Sequence, residues 1–406
     1  MKSVSRNIYF LLFVGILLKL VETYYHQNNI DYNADVKGAD WPGKVSFIGN
    51  VLITFAAILS FLTYKKYFPQ YIIVCYLLMI LLVTLTSLRD FEAIAKKPSI
   101  FYSVKGIGTY LNFGILFFTA GGIYYSKILK LFYYLCFVFI IAGIINLGKL
   151  GFGASRDDQL DAILYFSLYL IWVFPFFLLQ QEDNKKKNII NLLTFLIIFM
   201  FVLSTGSRSY MIIYLIFFYV KFKSQLKSKN GLLIICGAFL FIGISVLLFS
   251  NSELGKVLTG AFNIFSERTN EDSRSSQLLD FLDQYNTDYL FQGVGPSGLW
   301  YWTQIGEYYY YLDNQFLLLA WWAGLPAMLV YLFYLIGPLS NKAEILIFED
   351  VKGLKLIIFL WILACAGFAI YVGINSELYY NFLTLIIGMQ TCKYTQIKVN
   401  DIENQV

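Results

Sequence analysis

Charge is what this chain has least of. Only 14% of its 406 residues are Asp, Glu, Lys or Arg, against 58% hydrophobic. About a quarter of the residues in an ordinary soluble domain are charged, because its surface must be wetted. A soluble globular fold of this length is therefore excluded, and lipid is the solvent that tolerates the composition. Histidine is represented once, by His26, so no site can use two histidines on a metal. The five cysteines (Cys75, Cys136, Cys236, Cys365 and Cys392) lie in or beside apolar runs and form no C-x-x-C pair. Neither a zinc site nor a disulfide is expected. A basic stripe is also missing. The net charge of +5 is spread over many loops, which excludes nucleic acid as the expected partner. Internal repeats and low-complexity linkers are absent too, so residues 1–406 read as a single transmembrane domain.

Long apolar runs are what the chain does have. Backbone groups in lipid must be satisfied internally, which restricts spanning structures to helices and closed barrels. Barrel strands alternate apolar and polar residues, whereas these runs are continuously apolar and predict helices. The fold class is thus an all-α polytopic membrane protein with about twelve transmembrane helices, a span needing roughly 20 residues. They are expected at 7–24, 45–64, 71–88, 106–125, 128–147, 161–180, 188–204, 208–222, 231–250, 313–337, 354–372 and 376–392. The run from Ile8 to Leu20 follows Lys2 and Arg6 but lacks a small-residue cleavage site before Glu22, so it is expected to stay as the first span. With the N-terminus inside, 18 of the 31 Lys and Arg residues fall in the short inner segments. Both termini are then cytoplasmic, and the longest hydrophilic stretch, 251–312, becomes an extracytoplasmic loop. Its tryptophans and tyrosines argue that it folds over the outer mouth of the bundle rather than staying disordered.

Chemistry has four candidate locations. Ser204-Thr205-Gly206-Ser207-Arg208-Ser209 separates two runs too short for two full spans. This puts Arg208 near headgroup depth, where a guanidinium fork suits a phosphate; a snorkelling helix end would look the same. Within the long loop, Arg268, Asp272 and Arg274 could hold a diphosphate and leave a carboxylate as base, although a solvated mixed-charge loop has the same composition. Gly293-Val294-Gly295-Pro296-Ser297-Gly298 matches G-x-G-x-x-G but has no βαβ context, so tight turns returning the loop to the membrane explain it better than a dinucleotide site. Tyr308 to Tyr311 fit an interfacial aromatic belt or a sugar-stacking surface. Asp313, which opens the next span, fits an N-cap and a general base equally. Arg89, Asp90, Arg156, Asp157 and Asp158 stand at outer span ends as anchors or substrate contacts.

Three of these features resemble the O-antigen polymerase and O-antigen ligase superfamily of bacterial envelope polysaccharide synthesis. They are Ser207-Arg208-Ser209 between two spans, the Arg-bearing loop closing on Gly293–Gly298, and the segment Asp313-Asn314-Gln315-Phe316 running on to Gly324-Leu325. Together they cover roughly residues 188–340. The resemblance implies a bundle like the C-type membrane glycosyltransferases in the bacterial cytoplasmic membrane. Its donor would be an oligosaccharide on undecaprenyl diphosphate, with no metal or other cofactor. A flippase and a chain-length regulator would be its partners beside membrane lipid. Many ligase members place a His near the end of the loop. Leu312-Asp313-Asn314 has none, which favours the polymerase. The roles expected are diphosphate binding for Arg208, Arg274 and Arg268; base or acceptor orientation for Asp313 and Asp272; and sugar contacts for Arg156, Asn314 and Tyr311. The rival expectations are a lipid-linked oligosaccharide flippase, a ligase-type transferase and a non-catalytic scaffold.

Overall fold

The computed structural model describes residues 2–28, 41–97, 191–196, 198–199, 208–227, 273–309, 312, 314–340, 354–367, 386–388 and 390–391, together with residues 107, 134, 137, 141, 237 and 240. Among these the chain is mostly helical. It divides into two compact units, one of Met1–Leu20, Lys44–Ser126 and Asp272–Val406, the other of Val21–Gly43 and Lys127–Glu271.

Among the described residues, three helices are long and apolar enough to cross a membrane: α2 (Trp41–Tyr64, apolar from Lys44), α3 (Gln70–Arg89) and α7 (Gln315–Ser340). They match the runs expected at 45–64, 71–88 and 313–337. The runs at 7–24 and 208–222 correspond to α1 (Lys2–Asn28) and α5 (Arg208–Leu226), and the described part of 354–372 to α8 (Leu354–Gly367); a short helix, α4 (Phe91–Lys96), follows α3. The expected spans at 106–125, 128–147, 161–180 and 231–250 lie outside the described residues, apart from single positions, and those at 188–204 and 376–392 are described only in part.

Helix α3 shows why such a segment folds in lipid. It begins directly after Pro69, whose fixed φ and missing N–H suit a helix start. Its 20 residues reach about 30 Å, the thickness of a bilayer core. Ile72, Tyr76, Met79, Val83 and Thr86 form the buried face. Val74, Leu77, Leu78, Leu81, Leu85 and Leu88 line the opposite side as an exposed apolar stripe. Water would punish such a stripe, but acyl chains match it. The hydroxyls of Thr86 and Ser87 donate to the carbonyls four residues back, at 2.8 and 2.7 Å, so neither is left bare. The buried face packs against α7, which runs alongside, and α7 in turn packs against α8.

Helix α7 is two half-helices. Gly324 has φ 84° and ψ 168°, far from helical values, which separates 315–323 from 325–340. A break in a membrane helix strands backbone groups that must find other partners, and the end of the long loop supplies them. The N–H groups of Val294 and Gly295 donate to the carbonyls of Trp321 and Trp322 at 2.6 and 3.1 Å, and Leu325 N–H donates to the Leu290 carbonyl at 2.7 Å. Pro326 falls in the first turn of the second half, where a missing N–H costs nothing.

The second unit contains α5 (Arg208–Leu226). Phe195 meets Tyr214 at a tilt and Phe199 stacks on it, with ring centroids 4.6 and 6.2 Å away, and Phe195 also reaches Phe218 and Phe222. The buried Tyr214 hydroxyl donates to the Phe195 carbonyl at 2.9 Å. Contacts that run from Phe199–Tyr214 to Phe195–Phe222 have the antiparallel order of a helical hairpin.

Candidate functional site

The described part of the long loop is a small folded cap. It contains an amphipathic helix, α6 (Ser273–Gln284), and a hairpin of β1 (Trp300–Trp302) and β2 (Glu307–Tyr309). The hairpin pairs antiparallel, with Trp300 opposite Tyr309, Tyr301 opposite Tyr308 and Trp302 opposite Glu307. An isolated two-stranded hairpin is marginal in water, and here α6 supports it. The Gln284 carboxamide brackets Tyr301, donating to its carbonyl and accepting from its N–H, both at 2.8 Å. Asp280 accepts from Thr303 N–H at 2.9 Å. Phe281 meets Trp300 and Trp321 edge-on, at 5.9 and 5.2 Å, and buries the first half of α7 beneath the cap. Helix and hairpin were both invisible in a stretch that the sequence presented only as a loop.

The cap is fastened at the C-terminal end of α3. Asp90 Oδ2 accepts the Ser297 hydroxyl at 2.6 Å and its N–H at 3.1 Å. Arg89 Nη1 donates to the Gln292 carbonyl at 2.8 Å, and its Nε lies 4.0 Å from Asp90 Oδ1. Glycine is required where these chains meet. Gly293 (φ 66°) and Gly295 (φ 112°) adopt left-handed conformations, and a Cβ at Gly295 would overlap the Asp90 carboxylate. Gly293 rests on the Trp322 carbonyl, and Gly324 rests on that of Phe291. The G-x-G-x-x-G segment is therefore a set of tight turns, as its context suggested. Arg89 keeps further N–H donors beyond the one on Gln292, with its side chain 34% exposed. It adds a cation to the cap's rim that the sequence had ranked low.

The expected site residues are distributed as follows. Arg274 is the second residue of α6 and Arg208 the first of α5. The two belong to different units, and only their backbones are described. Arg156, Arg268, Asp272, Tyr311 and Asp313 lie outside the described residues. Asn314 is clear. Its Oδ1 accepts from the N–H groups of Phe316 and Leu317 at 3.1 and 3.0 Å, and its Nδ2 donates to the Ala366 carbonyl at 2.9 Å. It is the N-cap of α7 and also ties that helix to α8. The cap observed is Asn314, and the role expected of Asp313 lies outside the described residues. Asp90 and Ser297, 207 positions apart, have no local sequence signal that could have paired them.

No family model and no curated protein matches the chain.

Proposed function

We propose that this protein polymerises oligosaccharide repeat units carried on undecaprenyl diphosphate into an envelope polysaccharide, O-antigen or capsule, at the outer face of the bacterial cytoplasmic membrane. In this reading it is a polytopic bundle of about twelve helices with both termini in the cytoplasm. The observation that carries it is the union of the Arg-bearing loop with a broken helix. The loop's closing turn fills the gap at Gly324, and the same turn is held by Asp90 where α3 ends. Such a joint fixes a folded cap over the membrane boundary, where a lipid diphosphate has its charged group.

The chemistry is a transfer at the anomeric carbon. An acceptor hydroxyl attacks that carbon, its proton passes to a carboxylate, and the bond to the diphosphate oxygen breaks. Arg208, Arg274 and Arg268 are assigned to the departing diphosphate, since preorganised cations stabilise charge that develops there. Asp313 or Asp272 takes the proton. Arg156, Asn314 and Tyr311 are assigned to sugar. Purified protein given lipid-linked repeat units should produce oligomers without added metal. Arg208→Gln or Arg274→Gln should leave single repeat units, and a normal ladder of long chains from the well-expressed double variant would overturn the assignment.

A broken helix also favours a second reading, a lipid-linked oligosaccharide transporter, because transporters break helices at their binding sites. Those breaks sit near the bilayer midplane. The one at Gly324 meets Phe291 and Gln292, and Gln292 accepts from Arg89 at the end of a helix that is itself about one bilayer long. A cysteine-accessibility scan separates the two readings: a transporter exposes one polar cavity to both sides in turn, and a polymerase keeps its cavity open to one.

A further inference from the structure

Helix α6 turns three leucines away from its own fold. Several of its polar side chains face its own fold, while Ser275 and Asp283 are exposed on the other side. Gln277 is buried, Asp280 and Gln284 bond the hairpin backbone, and Ser276 donates to Gln304 at 2.9 Å while accepting from Trp302 Nε1 at 3.3 Å. Its leucines face outward. Leu279 is 62% exposed, with Leu278 and Leu282 beside it on the same face. The cap carries further bare apolar groups in Leu299 and in Phe291, which is 81% exposed.

Phe291 lies close to the end of α3. Its neighbour Gln292 is bonded by Arg89, and Arg89 stands between the exposed Leu88 and the exposed Phe91. Phe291 thus adjoins the end of the exposed apolar stripe of α3. We propose that the cap is itself seated in the bilayer. Leu278, Leu279 and Leu282 of α6, with Phe291, insert among phospholipid acyl chains at the boundary of the leaflet that surrounds the C-terminal end of α3. An interfacial helix of this kind buries its apolar face several ångströms below the headgroups. Arg89, at the junction, is placed to meet a phospholipid phosphate with its remaining donors. The cap is then fixed in depth from two directions, by the Asp90–Ser297 bonds and by lipid. This inference requires only that α3 crosses a membrane; it holds whether or not the protein is a polymerase.

The test uses the full chain in phosphatidylcholine nanodiscs. A bimane is attached at Leu279→Cys, Phe291→Cys or, as control, Glu307→Cys on the exposed hairpin strand, each in a background with the native cysteines replaced. Phosphatidylcholine brominated on its acyl chains should reduce emission at 279 and 291 roughly twofold, with little effect of aqueous iodide, and the control should show the reverse. Benzoylphenylalanine at 279 or 291, which leaves the native cysteines in place, should yield an adduct with phosphatidylcholine on illumination. Iodide quenching at both positions without bromolipid quenching would overturn the proposal. So would a photoadduct between two copies of the chain in place of the lipid adduct.

Discussion

Two places in the first unit bring backbones into contact through a pair of glycines, and they do so with opposite chemistry. Where α1 crosses α2, Gly15 and Gly49 face each other. A Cβ on Gly15 would lie 2.9 Å from the Gly49 carbonyl, and one on Gly49 would lie 2.7 Å from that of Gly15. Both helices are intact there, so the small residues gain only close packing, the usual means of helix association in lipid. Where the cap meets α7, Gly293 and Gly324 again lie on each other's chains, but both have positive φ and α7 is broken. Three backbone hydrogen bonds cross that joint. The first contact would tolerate separation of the helices at the cost of their packing. The second would strand polar groups in an apolar setting, each worth about 1–3 kcal/mol.

The largest effect should come from Gly324→Leu. The substitution forces a branched side chain into a left-handed conformation and drives its Cβ into the Phe291 carbonyl. The joint must open, and Val294, Gly295 and Leu325 lose their partners together. A loss of about 4 kcal/mol or more is expected, read as a lower midpoint of thermal unfolding in detergent. Limited proteolysis should report a second consequence: new cleavage within 273–309 before the rest of the chain unfolds. If proteolysis leaves the cap intact, the joint does not hold it.

Asp90→Ala tests the clamp beside the joint. It removes the acceptor of the Ser297 hydroxyl and N–H, and hydrogen bonds to a charged group are worth about 1.5–3 kcal/mol. Ser297→Ala removes only the hydroxyl and should cost less than Asp90→Ala, about 1.5 kcal/mol. The two effects should fall short of additivity in a double-mutant cycle, because both variants break the same bond. Full additivity would show that Asp90 acts elsewhere.

This contrast also marks how far the sequence could be read. Helix α3 was legible almost to the residue, since an unbroken apolar run with Pro69 before it and Arg89-Asp90 after it leaves few choices. Helix α7 was legible as a span, but its break was not: Gly324 and Pro326 leave the hydropathy unchanged, and the bonds that permit the break come from residues 290–295 of the loop. The cap was missed for a related reason. The polar side of α6 has meaning only opposite the Tyr301 and Thr303 backbone, and without that partner its mixture of Ser, Asp, Gln and Leu resembles any solvated loop. Asp313 and Asn314 are adjacent and both are good capping residues, so only geometry could assign the cap to the second.

Gly49→Ala sharpens the comparison from the other side. The added methyl meets the Gly15 carbonyl and the Lys19 backbone nitrogen, so α1 must move away from α2. No hydrogen bond is lost, and overpacking of this kind costs about 1–3 kcal/mol. The cap should stay resistant to protease, in contrast to Gly324→Leu, because the strain lies at another joint. Gly306→Ala should have the smallest effect of all. Gly306 has φ 77°, but a Cβ there meets only the Tyr301 hydroxyl at 3.8 Å. The expected cost is therefore the backbone conformation alone, about 1 kcal/mol. Gly49 measures close approach without an unusual φ, Gly306 an unusual φ without close approach, and Gly324 both with hydrogen bonds added. If the Gly324 loss exceeds the sum of the other two, the excess measures what the three backbone bonds contribute to a helix broken in lipid. If it does not exceed that sum, those bonds are replaced by water as readily as they form, and the break at Gly324 is open to solvent.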